Sequence, residues 1–226
     1  MRKNHHHSLL WILAFLLLPV AFTSCSESDS DEEEFANWQS RNDTYFDNVY
    51  RQAQQAIAGG DTSWKILRSW SLDSTRKATD CIVVRVVKNG SGSGCPLYTD
   101  SGLADYQGRL IPSATYRDGY VFDQSWYGDE YAQASARPAH LSVSGVVDGF
   151  TTALQNMHIG DNWVVYIPYQ LGYYATAQSN GSIPAYSTLI FDIHLRGYYR
   201  AGTAMPDNKA KQGVWVVEDL EDKIEL

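Results

Sequence analysis

Between residues 35 and 58, Phe35, Trp38, Tyr45, Phe46, Val49, Tyr50, Ala53 and Ile57 recur at spacings close to three and four. That rhythm predicts an amphipathic helix, which Gly59-Gly60 closes. Its apolar face must pack on the rest of the chain or on a partner. From 63 to 80 polar and aromatic residues mix without a period, and Trp64-Lys65-Ile66-Leu67 predicts a short helix or strand. The texture then changes. Ile82-Val83-Val84-Arg85-Val86-Val87 is β-branched and is followed by a glycine–serine turn at 88–94. Further strands are predicted at 103–110, 120–123, 162–166 and 188–199, with one helix at 147–157 and Gly160 after its end. Several strands about one short central helix, with another helix appended at the N-terminus, make an α+β architecture. No internal repeat is visible.

The first residues follow a different logic. Arg2 and Lys3 precede a run of about fifteen mostly apolar residues, short of the ~20 that a spanning helix needs. Residues 1–24 therefore read as an export signal. Phe22-Thr23-Ser24-Cys25 resembles a lipobox, so Cys25 is expected to be the acylated N-terminus of a lipoprotein. The triple histidine at 5–7 falls inside the segment to be cleaved and is assigned no metal role. Ser26 to Glu34 holds six acidic residues, with no base and no apolar group, and reads as a solvated tether at 25–34. An acidic stretch after a lipidated cysteine also resembles the surface-export signal of some lipoproteins of diderm bacteria. The expected location is the outer membrane, facing the periplasm or the cell surface.

Charge narrows the list of partners. The formal net charge of -8 becomes about -10 once Arg2 and Lys3 are removed, and no basic cluster remains, which argues against nucleic acid. With Cys25 acylated, Cys81 and Cys95 form one even pair; a disulfide and two separate thiols, one buried and one on a loop, both fit. His140, His158 and His194 lack metal-ligand spacing, so no metal is expected. Ser142-Val143-Ser144-Gly145 lacks a nucleophile elbow, and the turn at 90–94 lacks a phosphate-binding ending. No cofactor is called for.

Six blocks remain: Tyr106-Gln107-Gly108-Arg109-Leu110, Gly119-Tyr120-Val121-Phe122-Asp123, Val146-Val147-Asp148-Gly149-Phe150, Met157-His158-Ile159-Gly160-Asp161, Ile167-Pro168-Tyr169-Gln170-Leu171-Gly172-Tyr173 and Ile183-Pro184-Ala185-Tyr186-Ser187-Thr188-Leu189-Ile190-Phe191. In order and spacing they resemble the FKBP family of peptidyl-prolyl cis/trans isomerases. The resemblance implies a curved antiparallel sheet of five to six strands wrapped around a short helix over 81–199, leaving 35–80 as an N-terminal helical segment and 200–226 as an extension.

It also implies a site. Asp123, Tyr173, Tyr106 and Phe122 would act on the amide before a proline, while Val146, Val147, Phe150, Ile183 and Phe191 would hold the proline-containing polypeptide. Each has a plainer role open to it: core for Phe122 and Phe191, a turn cap for Asp123, a surface contact for Tyr173. Four positions depart from the family pattern. Phe150 stands for the usual tryptophan, Ala139 for a phenylalanine wall, Ser182 for an apolar rim residue and Tyr174 for a glycine. Residues 111–115 lengthen the loop before Phe122. A non-catalytic peptide-binding or chaperone module is thus a second expectation, and a structural lipoprotein dimerised by its N-terminal helix a third.

Overall fold

The computed structural model describes residues 34–128, 130–178 and 182–203, together with the backbone of 209–211 and 214–216. The expected signal at 1–24, Cys25 and the tether up to residue 33 lie outside the described residues. So does most of the 200–226 extension, of which the short hairpin β8 (Lys209–Lys211) and β9 (Val214–Val216) is described. Among the described residues no helix is long and apolar enough to cross a membrane.

Among the described residues the body is one antiparallel sheet with two α-helices, apart from short 3-10 turns. Helix α1 (Trp38–Ala58) leads into β1 (Trp64–Arg68), β2 (Cys81–Lys88), β3 (Ser101–Arg109), β4 (Val121–Gln124) and β5 (Ala139–Ser142). Helix α2 (Asp148–Leu154), β6 (Asn162–Ile167) and β7 (Leu189–Tyr199) follow. Strand order is β1-β2-β6-β7-β3-β4, with β5 also pairing on β3, so the sheet has seven strands rather than five or six. One added strand is β1, where the sequence left helix and strand open; the sheet thus begins at Trp64. The other is β5, too short to announce itself by pattern.

Strand β2 is apolar on both sides because both sides are covered. Ile82, Val84 and Val86 join the main core under α2, while Val83 packs with Phe46, Val49, Ala53 and Trp64 beneath α1. Much of the apolar face of α1 is therefore buried within its own chain, while Ile57 near its end stays exposed. Helix α2 lies on the concave face, and Gly149 permits its approach: a Cβ there would sit 2.3 Å from Ile167 Cγ2. The helix is shorter than expected because the chain tightens into i→i+3 bonds from Asn156 to Ala153 and Met157 to Leu154.

On the opposite face of β3 and β7, the loop after β4 covers a buried polar group. Arg196 Nη1 donates to Asp105 Oδ2 at 2.9 Å, the Tyr131 hydroxyl donates to the same oxygen at 2.8 Å, and His194 stacks on Tyr131 at 3.7 Å. Asp105 is completely buried, and burial raises its pKa above the ordinary value. Cys81 and Cys95 are free thiols, the first buried on β2 and the second on the loop with Sγ 3.8 Å from His158 Nε2.

Candidate functional site

Between the concave face of the sheet and α2 lies a cavity of about 520 Å³. Tyr106, Phe122, Asp123, Val146, Val147, Phe150, Tyr173, Ile183 and Phe191 all line it, along with Leu141, Gly145, Gln178 and Ser182. All nine residues singled out from the sequence thus meet at one hollow.

The floor is made of rings. Phe150, from α2, meets Phe191 of β7 edge to face at 5.0 Å, and Phe122 of β4 meets Phe191 likewise at 5.6 Å. Tyr106 of β3 closes the set at 6.1 Å from Phe150. Edge-to-face pairs at these distances suit the ring quadrupoles and fix the wall positions. Gly108 makes the arrangement possible. A Cβ on it would fall 2.5 Å from the Phe122 ring and 2.6 Å from that of Phe191, so no side chain fits beneath them.

Phe122 and Asp123 are neighbours in sequence, yet both line the cavity, which a regular strand with alternating faces would forbid. The pairing of β3 with β4 explains it. Gly108 faces Asp123 and Arg109 faces Val121, which leaves Phe122 as the extra residue of a bulge. A bulge of this kind re-aims side chains. The Tyr106 hydroxyl then donates to Asp123 Oδ2 at 2.5 Å, and Ser125, just beyond β4, exchanges bonds with the Tyr106 backbone at 2.8 Å.

Among the described residues lining the cavity, Asp123 is the one acidic or basic side chain. Burial, then the hydrogen bond to Asp123, raises the Tyr106 pKa well above the usual phenol value; burial, then the negative charge of Asp123, raises that of Tyr173. Both phenols are therefore proton donors across the neutral range.

Tyr173, Gln178, Ser182 and Ile183 reach the cavity from the long connection between β6 and β7, where a bridge joins Gln178 to Ile183. Tyr174, which replaces the expected glycine, keeps a left-handed backbone with φ of 55°. The apolar wall sought at Ala139 comes instead from Leu141, two residues along β5 on the same face. Three alternating residues, Ala139-His140-Leu141, are too few to have marked it. Nothing in the sequence marked Gln178 or Gly145.

A family model described as FKBP-type peptidyl-prolyl cis-trans isomerase matches residues 99–196. The chain is 31% identical over 192 residues, 84% of its own length and 85% of the relative's, to a protein of Trypanosoma cruzi named macrophage infectivity potentiator. It is 32% identical over 149 residues, 66% of this chain and 65% of the other, to the FKBP-type 22 kDa peptidyl-prolyl cis-trans isomerase of Escherichia coli (strain K12). It is 35% identical over 111 residues to the outer membrane protein MIP of Legionella longbeachae, covering 49% of this chain and 41% of that one. The chain thus spans less than half of the Legionella protein and just under two thirds of the Escherichia coli one.

Proposed function

The chain belongs to the FKBP-type peptidyl-prolyl cis-trans isomerase family, and on that premise we propose that the 520 Å³ cavity is where it catalyses rotation about the bond before proline. The planar amide owes its ~18–20 kcal/mol barrier to resonance, which also separates charge between oxygen and nitrogen. Twisting removes the resonance and part of that separation. A hollow that is apolar and poor in water therefore favours the twisted amide over the planar one, with no nucleophile and no metal required.

In this reading the rings of Phe122, Phe150 and Phe191 hold the pyrrolidine, with Val146 and Ile183 at its edges. The Tyr173 hydroxyl and the Val147 N–H donate to the carbonyls flanking the proline. Asp123, held by Tyr106, lies beside the twisting amide. The convergence of three phenylalanine rings with one fixed carboxylate in a single hollow carries the proposal.

We infer further that the protein works in the cell envelope on envelope or surface proteins. The name of the Legionella relative and the Cys25 lipobox with its acidic tether support this. The anchor would be a lipid on Cys25 in the outer membrane. Metabolic labelling with a fatty-acid analogue tests it: label on the wild type and none on Cys25→Ser is expected, and equal labelling of both contradicts it.

One observation favours a non-catalytic binder as the second reading: Ser182 and the smaller Phe150 line a cavity that the family builds with larger apolar groups. A protease-coupled assay with a proline tetrapeptide separates the two. Acceleration by micromolar protein is expected; binding of the peptide with an unchanged rate would favour the binder.

A further inference from the structure

The buried face of α1 contains a polar residue that hydrophobic spacing does not explain. Asn42 lies one turn from both Trp38 and Phe46 and is fully buried. An unpaired buried amide is costly, and both ends of this one are used. Its Nδ2 donates to the Trp38 carbonyl at 2.8 Å, and its Oδ1 accepts the Thr188 N–H at 2.7 Å. One turn earlier the Trp38 indole donates to Ser187 Oγ at 2.8 Å, and Ser187 donates onward to the Pro184 carbonyl at 2.6 Å.

These partners sit at the base of the segment that carries Tyr173 and Ile183 into the cavity. Among its described residues that segment has little regular structure. It contains two non-glycine residues at positive φ, Tyr174 and Tyr186, joined by a 2.9 Å bond from the Tyr186 N–H to the Tyr174 carbonyl. Residues in that conformation persist only where the surroundings impose it. Beside Tyr186, those surroundings include α1, which bonds Ser187 through Trp38 and Thr188 through Asn42. On a second loop, the one before β4, Thr115 donates through its N–H at 3.2 Å and its hydroxyl at 2.6 Å to Glu34, just ahead of α1.

We propose that α1 is a positioning element of the site, in which Trp38 and Asn42 hold the loop that presents Tyr173 and Ile183 to the substrate. This rests on the cavity being the place of reaction. The helix is then more than a cover for the sheet: its first two turns set the mouth of the cavity, while its later turns, through Phe46 and Val49, only bury β1 and β2.

The test uses the full chain with Trp38→Phe, which keeps an apolar ring and removes the donor, and Ser187→Ala, which removes the acceptor. Phe46→Leu on the same helix is the control for general loosening. A fall in kcat/KM of about fivefold or more is expected for the first two and none per folded molecule for the third. The fall should shrink when Trp38→Phe is made in a Tyr173→Phe background, because a residue acting in part through Tyr173 is not fully additive with it. Amide hydrogen exchange at Tyr174 and Tyr186 should quicken about tenfold or more in Trp38→Phe and Ser187→Ala and stay unchanged in Phe46→Leu. Unchanged exchange at both amides in all variants overturns the proposal, whatever the activity. Full additivity of Trp38→Phe with Tyr173→Phe overturns it too. A wild type that exchanges as expected but does not accelerate isomerisation rejects the catalytic reading and leaves the brace standing as a determinant of loop order.

Discussion

The hydroxyl of Tyr106 donates to Asp123 Oδ2 at 2.5 Å, tying the middle of β3 to the bulge of β4 at the mouth of the cavity. Asp123 is exposed, and without this bond its carboxylate would turn freely in solvent. Tyr106 serves twice, since its ring also walls the cavity against Phe150 and Phe191.

Tyr106→Phe keeps that wall and removes the tether. A charge-assisted bond of this kind contributes about 1–2 kcal/mol, so kcat/KM should fall by about five- to thirtyfold. Asp123→Ala should fall at least as far, and the double variant no further than Asp123→Ala alone. Steady-state isomerisation kinetics on the three variants checks this, and independent, additive losses would contradict it.

The phenols give a pH prediction. Burial and the Asp123 carboxylate raise both the Tyr106 and Tyr173 values above 10.0, so each keeps its proton as pH rises through the range where a free tyrosine loses it. The stability linked to those protons is fully present below pH 10 and is lost only as pH passes the higher folded-state values. Activity measured without a coupling protease should stay level from pH 7 to 10. A decline centred below 10 would show that one of these donors is less protected than the geometry requires.

Gly108→Ala should disturb the site with little surface change. The added methyl would overlap ring atoms of Phe122 and Phe191, and only Phe122, the more exposed of the two, has room to yield. Overpacking of this kind costs about 1–3 kcal/mol. Chemical denaturation should show that loss, and kcat/KM should fall with it because Phe122 is displaced from the wall.

Arg196→Ala removes the cation beside the fully buried Asp105 carboxylate. Breaking such a pair leaves a charge uncompensated and costs about 3–5 kcal/mol. The sign of the pH effect follows from the raised Asp105 pKa: its contribution is fully present below the unfolded value of 3.8 and is lost as pH climbs through the folded one. The gap between variant and wild type in denaturant midpoint should therefore narrow as the pH is lowered. A gap that widens would mean the carboxylate is not the group left stranded.

How much of this was legible in the sequence depends on the kind of signal. The cavity walls were, through the family resemblance, because the six blocks carry Tyr106, Phe122, Val146, Val147, Phe150, Tyr173, Ile183 and Phe191 in order. Strand β5 was not, since four residues paired to β3 by backbone bonds carry too little alternation to stand out. The missing wall was accordingly sought at Ala139, although Leu141 provides it. Tyr174 looked like a departure that could loosen the site, yet the backbone keeps its left-handed turn with tyrosine in place of glycine. The amphipathic rhythm of 35–58 announced a buried face without saying what buries it. Asn42, a polar residue on that face, was not marked by the periodicity; its bond to the Thr188 N–H shows that the contact is specific.

The central claim is that this hollow speeds rotation about a prolyl bond. Exchange spectroscopy by nuclear magnetic resonance on a proline tetrapeptide tests it most directly, because it sees cis and trans populations interconvert at equilibrium with no coupling enzyme. Wild-type protein at micromolar concentration should bring exchange from its unaided time of ~tens to hundreds of seconds into the range of seconds or faster, and Asp123→Ala should slow it again. Folded wild-type protein that shifts the peptide resonances yet leaves the exchange rate where it began would contradict the claim.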